Sequence, residues 1–465
     1  LESKDVTKDI FLQETHTRVL GLLKQVDYLS QKYHVVVANP PYMGGKGMSD
    51  RLKKYLSDNY NDVKTDLFSA FMVRNTYLTL PKGQLGFMTP FVWMFISSYE
   101  KLREFIINQK TITSLVQLEY SGFDGATVPI CTFTLENAHN PEFLGGYIKL
   151  SDFKGSENQA PKTLEAIKNK NCGWFYRRLS NDFLKIPSNP IVYWTKDSSY
   201  SSFINNPQMQ SYSMPRQGLT TTDNNRFIRN WNEVSIAEIG FNKYSINQAS
   251  DSQLRWFPID KGGGYRKWYG NNTAIVNWQD NGREIKENIV LKYPYLNGNP
   301  DFVAKNSKYY FKPGVTWGKI TSSSFSCRFT NEGFIFSDAG SKIPTDNIED
   351  AINITAYLNS VVAIHFLSML SPTLNFEQGT LAAIPYNPNI IFYKSDSIVK
   401  LAKQDWDSYE TSWDFTTLTL LQKEYKKSSL EESYKTLRAF WQTQVDTMKQ
   451  LEEENNDIFI KAYGL

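Results

Sequence analysis

The sequence is poor in the residues that build metal centres and disulfide frameworks. Its 465 residues include three cysteines, Cys131, Cys172 and Cys327, which lie far apart and form no C-x-x-C pair. The four histidines are also scattered along the chain. This distribution is typical of neither a zinc site nor a disulfide-stabilised fold, and we therefore predict that the protein binds no metal.

Long apolar runs and a strong net charge are absent as well. No stretch of about 18 consecutive apolar residues exists, so we predict no membrane contact. No signal-peptide pattern is visible, which favours a cytoplasmic protein. The formal net charge is only +3, so a nucleic-acid surface would require local segregation of basic residues. The length predicts about two to four domains.

The most informative stretch runs from residue 35 to residue 42. Three valines and an alanine form an apolar run that is typical of a buried strand in a parallel sheet. Pro40 and Pro41 end this strand, because proline cannot donate a ladder hydrogen bond. We therefore expect Asn39 and Tyr42 just past the carboxyl end of a central strand, where open α/β sheets bind ligands.

The chain after this turn alternates between helical and strand patterns. Asp66 is a predicted helix cap, a further helix is predicted to begin at Ser98, and strands are predicted at residues 85–90, 113–118 and 130–135. Alternation of this kind predicts a parallel sheet. The fold class is therefore predicted to be α/β, with a partial Rossmann-like sheet over residues 1–150.

The rest of the chain has a different pattern. Residues 151–200 are predicted to form a connector, since they contain few long periodic segments. Turn residues and short strands dominate residues 201–390, which indicates a mixed α+β domain with one helix over residues 349–370. Residues 391–465 are predicted to be a helical C-terminal segment, in which Ser428 and Glu431 form a capping-box pattern.

Two stretches in residues 201–390 are candidates for nucleic-acid contact. Residues 217–227 form a polar loop, and residues 261–286 interleave basic and aromatic side chains, which suits phosphate contacts and base stacking. Solvated loops around a β-rich core are the alternative interpretation. The predicted DNA-binding residues are Thr220, Thr221, Asn224, Asn225, Arg226, Arg266, Lys267 and Lys319.

The Asn-Pro-Pro-Tyr sequence after the first strand resembles the catalytic motif of the amino-group DNA methyltransferases that methylate N6 of adenine. The resemblance implies that Asn39, Pro40, Pro41 and Tyr42 are catalytic. The Asn39 side-chain oxygen and the Pro40 carbonyl would accept the two N–H bonds of the target amine and so localise its lone pair. Tyr42 would stack on the flipped base. Phe123 matches the family's aromatic residue on the opposite face of the adenine.

The resemblance also implies S-adenosyl-L-methionine as the cofactor, but the cofactor-binding half is missing from the sequence. The family binds this cofactor with a glycine-rich turn and an acidic residue that should precede Asn39. Only 38 residues precede it, whereas one βαβ unit takes about 30 residues or more. The glycine run at residues 261–265 follows no strand-into-helix pattern, and we interpret it as a loop. Asn39 is the one cofactor-side residue that we can name.

Further segments extend the resemblance over nearly the whole chain. They are residues 38–44, 86–95, 218–227, 357–360, 370–384, 405–415 and 452–465. Together they resemble the C-terminal part of a BREX-type, PglX-like adenine-specific DNA methyltransferase, a family related to the type IIG restriction-modification enzymes. The resemblance implies phage defence by site-specific methylation, with residues 201–390 as the target-recognition domain. The implied partners are double-stranded DNA, the missing N-terminal half and other defence-system proteins.

Three hypotheses stay open at this point. The chain is the catalytic-motif and target-recognition portion of an adenine methyltransferase, inactive until it is joined to its cofactor half. Alternatively, it is a catalytically inert DNA-binding or assembly module. In a third hypothesis, the motif acts on another amine, such as a glutamine in a protein. Binding of free S-adenosylmethionine separates the first two, and salt-dependent duplex binding separates both from the third.

Overall fold

The computed structural model describes residues 10–120, 122, 128–321, 324–371 and 375–465. Phe123, the predicted base-stacking residue, lies outside the described residues. The chain divides into two units, unit 1 at Leu1–Thr195 and unit 2 at Lys196–Leu465. The predicted assignment of separate functions to residues 1–150, 151–200, 201–390 and 391–465 stays a prediction.

Unit 1 is built on a six-stranded mixed sheet with the strand order β1-β2-β4-β3-β5-β6. Its strands are β1 (Tyr33–Ala38), β2 (Thr79–Pro90), β3 (Thr111–Gln117), β4 (Ile130–Glu136), β5 (Leu144–Lys149) and β6 (Phe175–Leu179). Its helices are α1 (Ile10–Ser30), α2 (Asp50–Asn59), α3 (Leu67–Leu78), α4 (Glu100–Gln109) and α5 (Ser156–Lys168). The sheet therefore extends beyond residue 150, to Leu179.

The prediction of a parallel sheet is wrong for part of this unit. β1 pairs with β2, and β3 with β5, in parallel, whereas β4 lies antiparallel between β2 and β3, and β6 is antiparallel to β5. Only residues 118–129 separate β3 from β4 in the sequence. Antiparallel neighbours can be joined by a short connection, whereas parallel neighbours usually require a helical crossover.

The strand that precedes Asn39 is an edge strand, and the prediction of a buried central strand is wrong. In the described sheet β1 pairs with β2 alone. Val35 and Val37, which share one face of the strand, are 59% and 75% exposed. Val26 and Leu29 of the preceding helix α1 are also exposed. Apolar character predicts a strand here, but it does not reveal how many neighbours the strand has.

A buried arginine organises the segment that follows β2. Arg103 on α4 is fully buried, and its guanidinium donates to the main-chain oxygens of Trp93 and Ile96, at 2.7 and 2.8 Å, and to that of Ser188 at 2.7 and 3.0 Å. Burial lowers the pKa of Arg103 to about 10, so it keeps its charge at neutral pH. The carbonyls replace water around the cation and so tie the 93–96 turn to residue 188.

Unit 2 contains two small sheets and a set of helices. The four-stranded sheet has the order β12-β8-β9-β7, and the three-stranded antiparallel sheet has the order β11-β10-β13. Its strands are β7 (Ile228–Asn230), β8 (Trp256–Asp260), β9 (Ala274–Asn277), β10 (Gly314–Gly318), β11 (Cys327–Thr330), β12 (Ile335–Phe336) and β13 (Gly340–Pro344). A core of large apolar side chains, including Phe227, Phe257 and Trp278, packs beside the four-stranded sheet.

The described part of unit 2 contains ten α-helices. They are α6 (Asp197–Asn205), α7 (Met209–Tyr212), α8 (Asn224–Phe227), α9 (Ile246–Asp251), α10 (Gln279–Lys292), α11 (Ile348–Leu358), α12 (Val361–Leu370), α13 (Gln378–Ala383), α14 (Ser395–Asp407) and α15 (Leu430–Tyr463). The α/β class with a long C-terminal helix is thus confirmed in coarse outline.

Two predicted helix boundaries need correction. The single helix expected over residues 349–370 is two helices, α11 and α12, bent by 70°. The Asn359 side chain exchanges two hydrogen bonds with the main chain of Cys327, and Ser360 caps α12. In the C-terminal segment the cap of α15 is Ser429 rather than Ser428, because the Ser429 hydroxyl accepts the main-chain N–H of Glu432.

The described residues contain neither a cluster of metal ligands nor a single membrane-spanning helix. No group of three or more His, Cys, Asp or Glu side chains is placed to hold a metal ion there. Within the same part of the chain, no single helix has the length and apolar character needed to cross a membrane, and α11 with α12 passes that test only as a bent pair.

Candidate functional site

The first candidate site is the turn that follows β1, residues 39–44, called the Asn39 turn below. Ala38, the last residue of β1, pairs with Phe87 of β2, so Asn39 leaves the sheet at the carboxyl end of a parallel pair. Asn39 and Pro41 are exposed, whereas Pro40 is buried. The Asn39 carboxamide is therefore accessible to an incoming polar group.

Tyr42 folds back over this turn. Its hydroxyl lies 3.3 Å from Asn39 Oδ1 and 3.4 Å from the main-chain oxygen of Met88 on β2. A phenol carries one proton, so it donates to one of these acceptors at a time, and both contacts are long. Asn39 Oδ1 therefore retains capacity to accept a hydrogen bond from a ligand.

The ring of Tyr42 packs against one aromatic neighbour, and part of it is exposed to solvent. Phe68 lies edge-to-face against it, with 6.3 Å between centroids and 86° between planes. Tyr42 is 39% exposed, which leaves surface for stacking by a flat group. Burial of its hydroxyl region, followed by the neighbouring Cys131, raises the pKa of Tyr42, so the phenol is neutral at physiological pH.

Asp66 holds the far end of the turn. Its Oδ1 accepts the main-chain N–H of Met43 at 3.0 Å and that of Phe68 at 3.3 Å. The main-chain N–H of Leu67 in turn donates to the oxygen of Met43 at 3.0 Å. One carboxylate thus caps α3, as predicted, and also positions the turn that carries Asn39 and Tyr42.

The sequence indicated Asp66 as a cap but gave no indication that it holds the turn. Phe68 and Met88 as partners of Tyr42 were also missed. A local signal exists only for Asp66, which stands directly before an apolar helical pattern. The contacts to Phe68 and Met88 join residues that are 26 and 46 positions from Tyr42, and no local pattern encodes such distances.

The second candidate site is a cavity in unit 2 with a volume of about 320 Å³, called the Lys261 cavity below. Residues 219–222, Asn224, Lys261 and residues 337–339 line it. Three predicted nucleic-acid contacts, Thr220, Thr221 and Asn224, are therefore brought together. The Asn224 Oδ1 atom accepts the Thr221 hydroxyl at 2.7 Å and lies 3.4 Å from Lys261 Nζ.

The other predicted nucleic-acid contacts lie in different surroundings. Asn225 and Arg226 are exposed, and Arg226 is 3.4 Å from the carboxylate of Glu284. Lys319 pairs with Glu377 at 3.1 Å and with Asp338 at 3.6 Å. These contacts are on the surface, where ion pairs are weak and exchange readily.

Arg266 and Lys267 are engaged by acids of the C-terminal helices. Arg266 pairs with Asp405 at 2.8 Å, and Lys267 pairs with Glu452 at 3.1 Å. The indole N–H of Trp268 also donates to Glu452, at 2.5 Å. A phosphate contact by either cation would require exchange of its carboxylate, and sequence spacing alone gave no sign of this because the partners are 139 and 185 residues away.

Comparison with known proteins shows which methyltransferases this chain is similar to. Residues 4–123 match the family described as Eco57I restriction-modification methylase. The chain is 32% identical, over its entire length, to the adenine-specific methyltransferase PglX of Lacticaseibacillus casei (strain Zhang). It is 31% identical over 99% of its length to the adenine-specific methyltransferase BrxX of Escherichia coli O9:H4 (strain HS). It spans 39% and 36% of the lengths of these relatives.

A solved structure shares the fold at low sequence identity. The type IIL restriction-modification enzyme MmeI, solved in complex with DNA, matches 92% of this chain and 54% of its own, with a TM-score of 0.51 and 11% identity. The resemblance at this identity concerns the fold alone.

Proposed function

The chain is homologous over its length to the adenine-specific methyltransferases PglX and BrxX, and we propose that it carries the base-handling and DNA-binding parts of a site-specific DNA adenine-N6 methyltransferase. The observation that carries this proposal is the Asn39 turn. An exposed carboxamide follows a parallel strand pair, beside an aromatic ring with accessible surface.

The chemistry of the Asn39 turn suits an exocyclic amine. The lone pair of adenine N6 is delocalised into the ring, which makes the amine a poor nucleophile. If Asn39 Oδ1 and the Pro40 carbonyl accept its two N–H bonds, the lone pair becomes localised on nitrogen. The Tyr42 hydroxyl then gives up its long contact with Asn39, and the Tyr42 ring stacks on the base. Phe123 is proposed to cover the other face.

The target base must first leave the duplex. Flipping costs roughly a few kcal/mol, which duplex contacts by unit 2 would offset. The polar loop at residues 220–226, in which Thr220 and residues 223–226 are exposed, supports this role for unit 2, as does the shared fold with an enzyme solved in complex with DNA. Other defence-system proteins as partners, and a cytoplasmic location, are part of the same proposal.

S-Adenosylmethionine, when bound, supplies the methyl group that N6 accepts. The residues of the Asn39 turn fit the amine. Among the described residues before Asn39, α1 and β1 contain no glycine-rich strand-to-helix turn. The chain spans 39% and 36% of the lengths of PglX and BrxX, and we assign cofactor binding to a segment of such a longer protein that lies outside this chain.

The exposed apolar surface around β1 supports this assignment. Val35 and Val37 on the edge strand β1 are exposed, and so are Val26 and Leu29 on the preceding helix α1. Contiguous apolar surface and open strand edges are usually covered in native proteins. A cofactor-binding segment that extends the sheet past β1 would cover both.

Calorimetric titration of this chain tests the proposal. We expect salt-dependent binding of duplex DNA and no one-to-one binding of S-adenosylmethionine by the chain alone. Clear one-to-one cofactor binding would contradict the assignment of that site to another segment. Loss of any duplex binding at low salt would contradict the DNA role of unit 2. The matched control is the same titration with S-adenosylmethionine replaced by adenosine.

A further inference from the structure

The Lys261 cavity is formed where two parallel strands end. β8 and β12 pair in parallel through Ile259 with Ile335 and Asp260 with Phe336. Lys261 follows β8 directly, and Ser337 follows β12 directly. The 219–222 segment completes the wall, since the Leu219 N–H donates to the Phe336 oxygen at 2.9 Å and the Leu219 oxygen accepts from Asp338 at 3.2 Å.

The floor beneath this cavity is rigid because it is tied by buried polar groups. The main-chain oxygen of Asp260 accepts both the N–H and the hydroxyl of Ser337, at 3.0 and 2.8 Å. The Asp260 carboxylate is 3.5 Å from the fully buried ammonium of Lys342. Arg328, also buried, donates to the oxygen of Gly262 at 2.9 Å. The residues on both sides of Lys261 are thus held in place.

Two glycines permit the close approach of these segments. A Cβ at Gly218 would lie 2.0 Å from the main-chain oxygen of Phe336, and one at Gly340 would lie 2.5 Å from that of Asp260. Main-chain atoms cannot move away as a flexible side chain can. Residues with side chains at either position would therefore separate the walls of the cavity.

The groups that line the cavity are donors of the kind that bind phosphate. The Thr220 hydroxyl, the Asn224 carboxamide and the Lys261 ammonium are such donors. The hydroxyls of Thr221 and Ser337 are buried and already donate to Asn224 Oδ1 and to the main-chain oxygen of Asp260. In the part of the chain that the structure describes, Lys261 Nζ lies 3.4 Å from the neutral Asn224 Oδ1, which is a long hydrogen bond. Burial lowers the pKa of Lys261, and such a poorly solvated ammonium gains from an anionic partner.

The charges around the cavity are compatible with an anion. Lys292 and Lys305 donate to neutral oxygens, the main-chain oxygen of Thr222 at 2.8 Å and Oε1 of Gln217 at 2.9 Å. The one carboxylate on the wall, Asp338, accepts from the Gln217 amide at 2.7 Å and lies 3.6 Å from Lys319. The acid is therefore already compensated, whereas no carboxylate among the described residues pairs with the Lys261 ammonium.

We propose that the Lys261 cavity binds a phosphate group of the DNA backbone and thereby sets the register of unit 2 on the duplex. This inference rests on the proposed function, because it requires unit 2 to bind DNA. A concave surface lined by the Lys261 ammonium, the Thr220 hydroxyl and the Asn224 carboxamide fits the convex ridge of a sugar-phosphate strand. Contacts of this kind position a protein on DNA and do not themselves select a sequence.

The salt dependence of duplex binding tests the inference. Each phosphate contact contributes about −0.9 to the slope of log K against log salt concentration, so Lys261→Gln should reduce the slope by about one. Lys261→Arg should restore most of it. The control is Lys400→Ala, which removes an exposed lysine of unit 2 that pairs with Asp396, and it should leave the slope unchanged.

A second measurement replaces backbone phosphates one at a time by neutral methylphosphonates. We expect one replacement to weaken duplex binding by the unsubstituted chain about fivefold or more. The same replacement should leave duplex binding by the Lys261→Gln variant almost unchanged. Thermal unfolding at the same salt confirms that the variant is folded. This double comparison identifies the phosphate that Lys261 contacts.

The outcomes separate the two proposals. An unchanged slope in Lys261→Gln, with normal duplex binding by the intact chain, would overturn the phosphate site and leave the DNA role standing. A change in base preference at one position, without a change in slope, would also overturn it and indicate base readout. Absence of salt-dependent duplex binding by the intact chain would instead refute the DNA role of unit 2.

Discussion

The Asn39 turn and the Lys261 cavity follow the carboxyl ends of parallel strand pairs, yet they are supported in different ways. The Asn39 turn lies beside an edge strand, and one partly buried carboxylate, that of Asp66, holds it through main-chain N–H groups. The Lys261 cavity lies above a cluster of fully buried charges, Asp260, Lys342 and Arg328.

This difference suggests how each site responds to change. A site held by a few hydrogen bonds to one partly buried carboxylate loses its geometry and its catalytic rate when that carboxylate is removed, but its unit stays folded. A site built over buried charges cannot lose one of them without leaving another unpaired in a medium of low polarity. We therefore expect substitutions below the Lys261 cavity to act on stability, and substitutions in the Asn39 turn to act on chemistry.

The largest effect is expected from Lys342→Met. The substitution leaves the Asp260 carboxylate buried without its cation and should lower the free energy of unfolding by about 3–5 kcal/mol in urea titrations. The control is Lys312→Met, which removes a surface pair with Asp346 and should change stability by about 1 kcal/mol or less. Equal effects of the two substitutions would show that the buried cluster does not support unit 2.

The same variant has a defined pH dependence. Burial raises the pKa of Asp260 above the ordinary 3.8, and Lys342 and Arg328 oppose that rise. Without Lys342 the folded state binds a proton that the unfolded state does not bind until lower pH. Acidification from neutral pH should therefore recover part of the lost stability, and the gain should disappear as the pH rises through the raised pKa.

An effect of similar size, but on rate, is expected from Asn39→Ala. In a protein that joins this chain to a cofactor-binding segment, the substitution should lower kcat/KM for N6-adenine methylation by at least about a hundredfold, since one preorganised partner of the reacting amine is lost. Duplex affinity should be nearly unchanged, and Asn59→Ala on α2 serves as the control. An equal loss of duplex binding would contradict the catalytic role.

The smallest effect is expected from Asp66→Ala, which sharpens the comparison within unit 1. Loss of the α3 cap should lower stability by about 1 kcal/mol. Because Asp66 also holds Met43, the rate of methylation by the folded variant should fall several-fold as well. Ser49→Ala removes the comparable cap of α2 and should have a similar effect on stability with no effect on rate. If both variants retain full rate, Asp66 is a cap and nothing more.

The parts of unit 1 that could be predicted from sequence depend on neighbouring residues. The apolar run and the two prolines indicate a strand that ends at Asn39, and Asp66 before an apolar pattern indicates a helix start. These features are local, because strand formation, the ending of a strand by proline and helix capping each involve residues within a few positions. The edge position of β1 and the antiparallel insertion of β4 are not local, since they depend on which strands pair.

In unit 2 the polar loop at residues 220–226 could be recognised as a candidate site from the sequence. The other residues that line the same cavity could not be assigned to it. Lys261 lies in a predicted glycine-rich loop, and the sequence indicates no role in a site for residues 337–339. They meet at one cavity because β8 and β12 pair, although Ile335 lies 76 positions after its partner Ile259. The ion pairs that occupy Arg266 and Lys267 likewise join distant segments.

The sequence by itself determined the α/β class, the turn that presents Asn39 and Tyr42, and the likeness to adenine-specific methyltransferases, since each depends on residue types at short spacing. Tertiary structure alone decided that β1 lies at an edge, that Asp66 and Phe68 support the turn, and that Lys261 faces a donor-lined cavity. Strand pairing and burial depend on segments far apart in the chain, whose contacts form only when the whole unit folds.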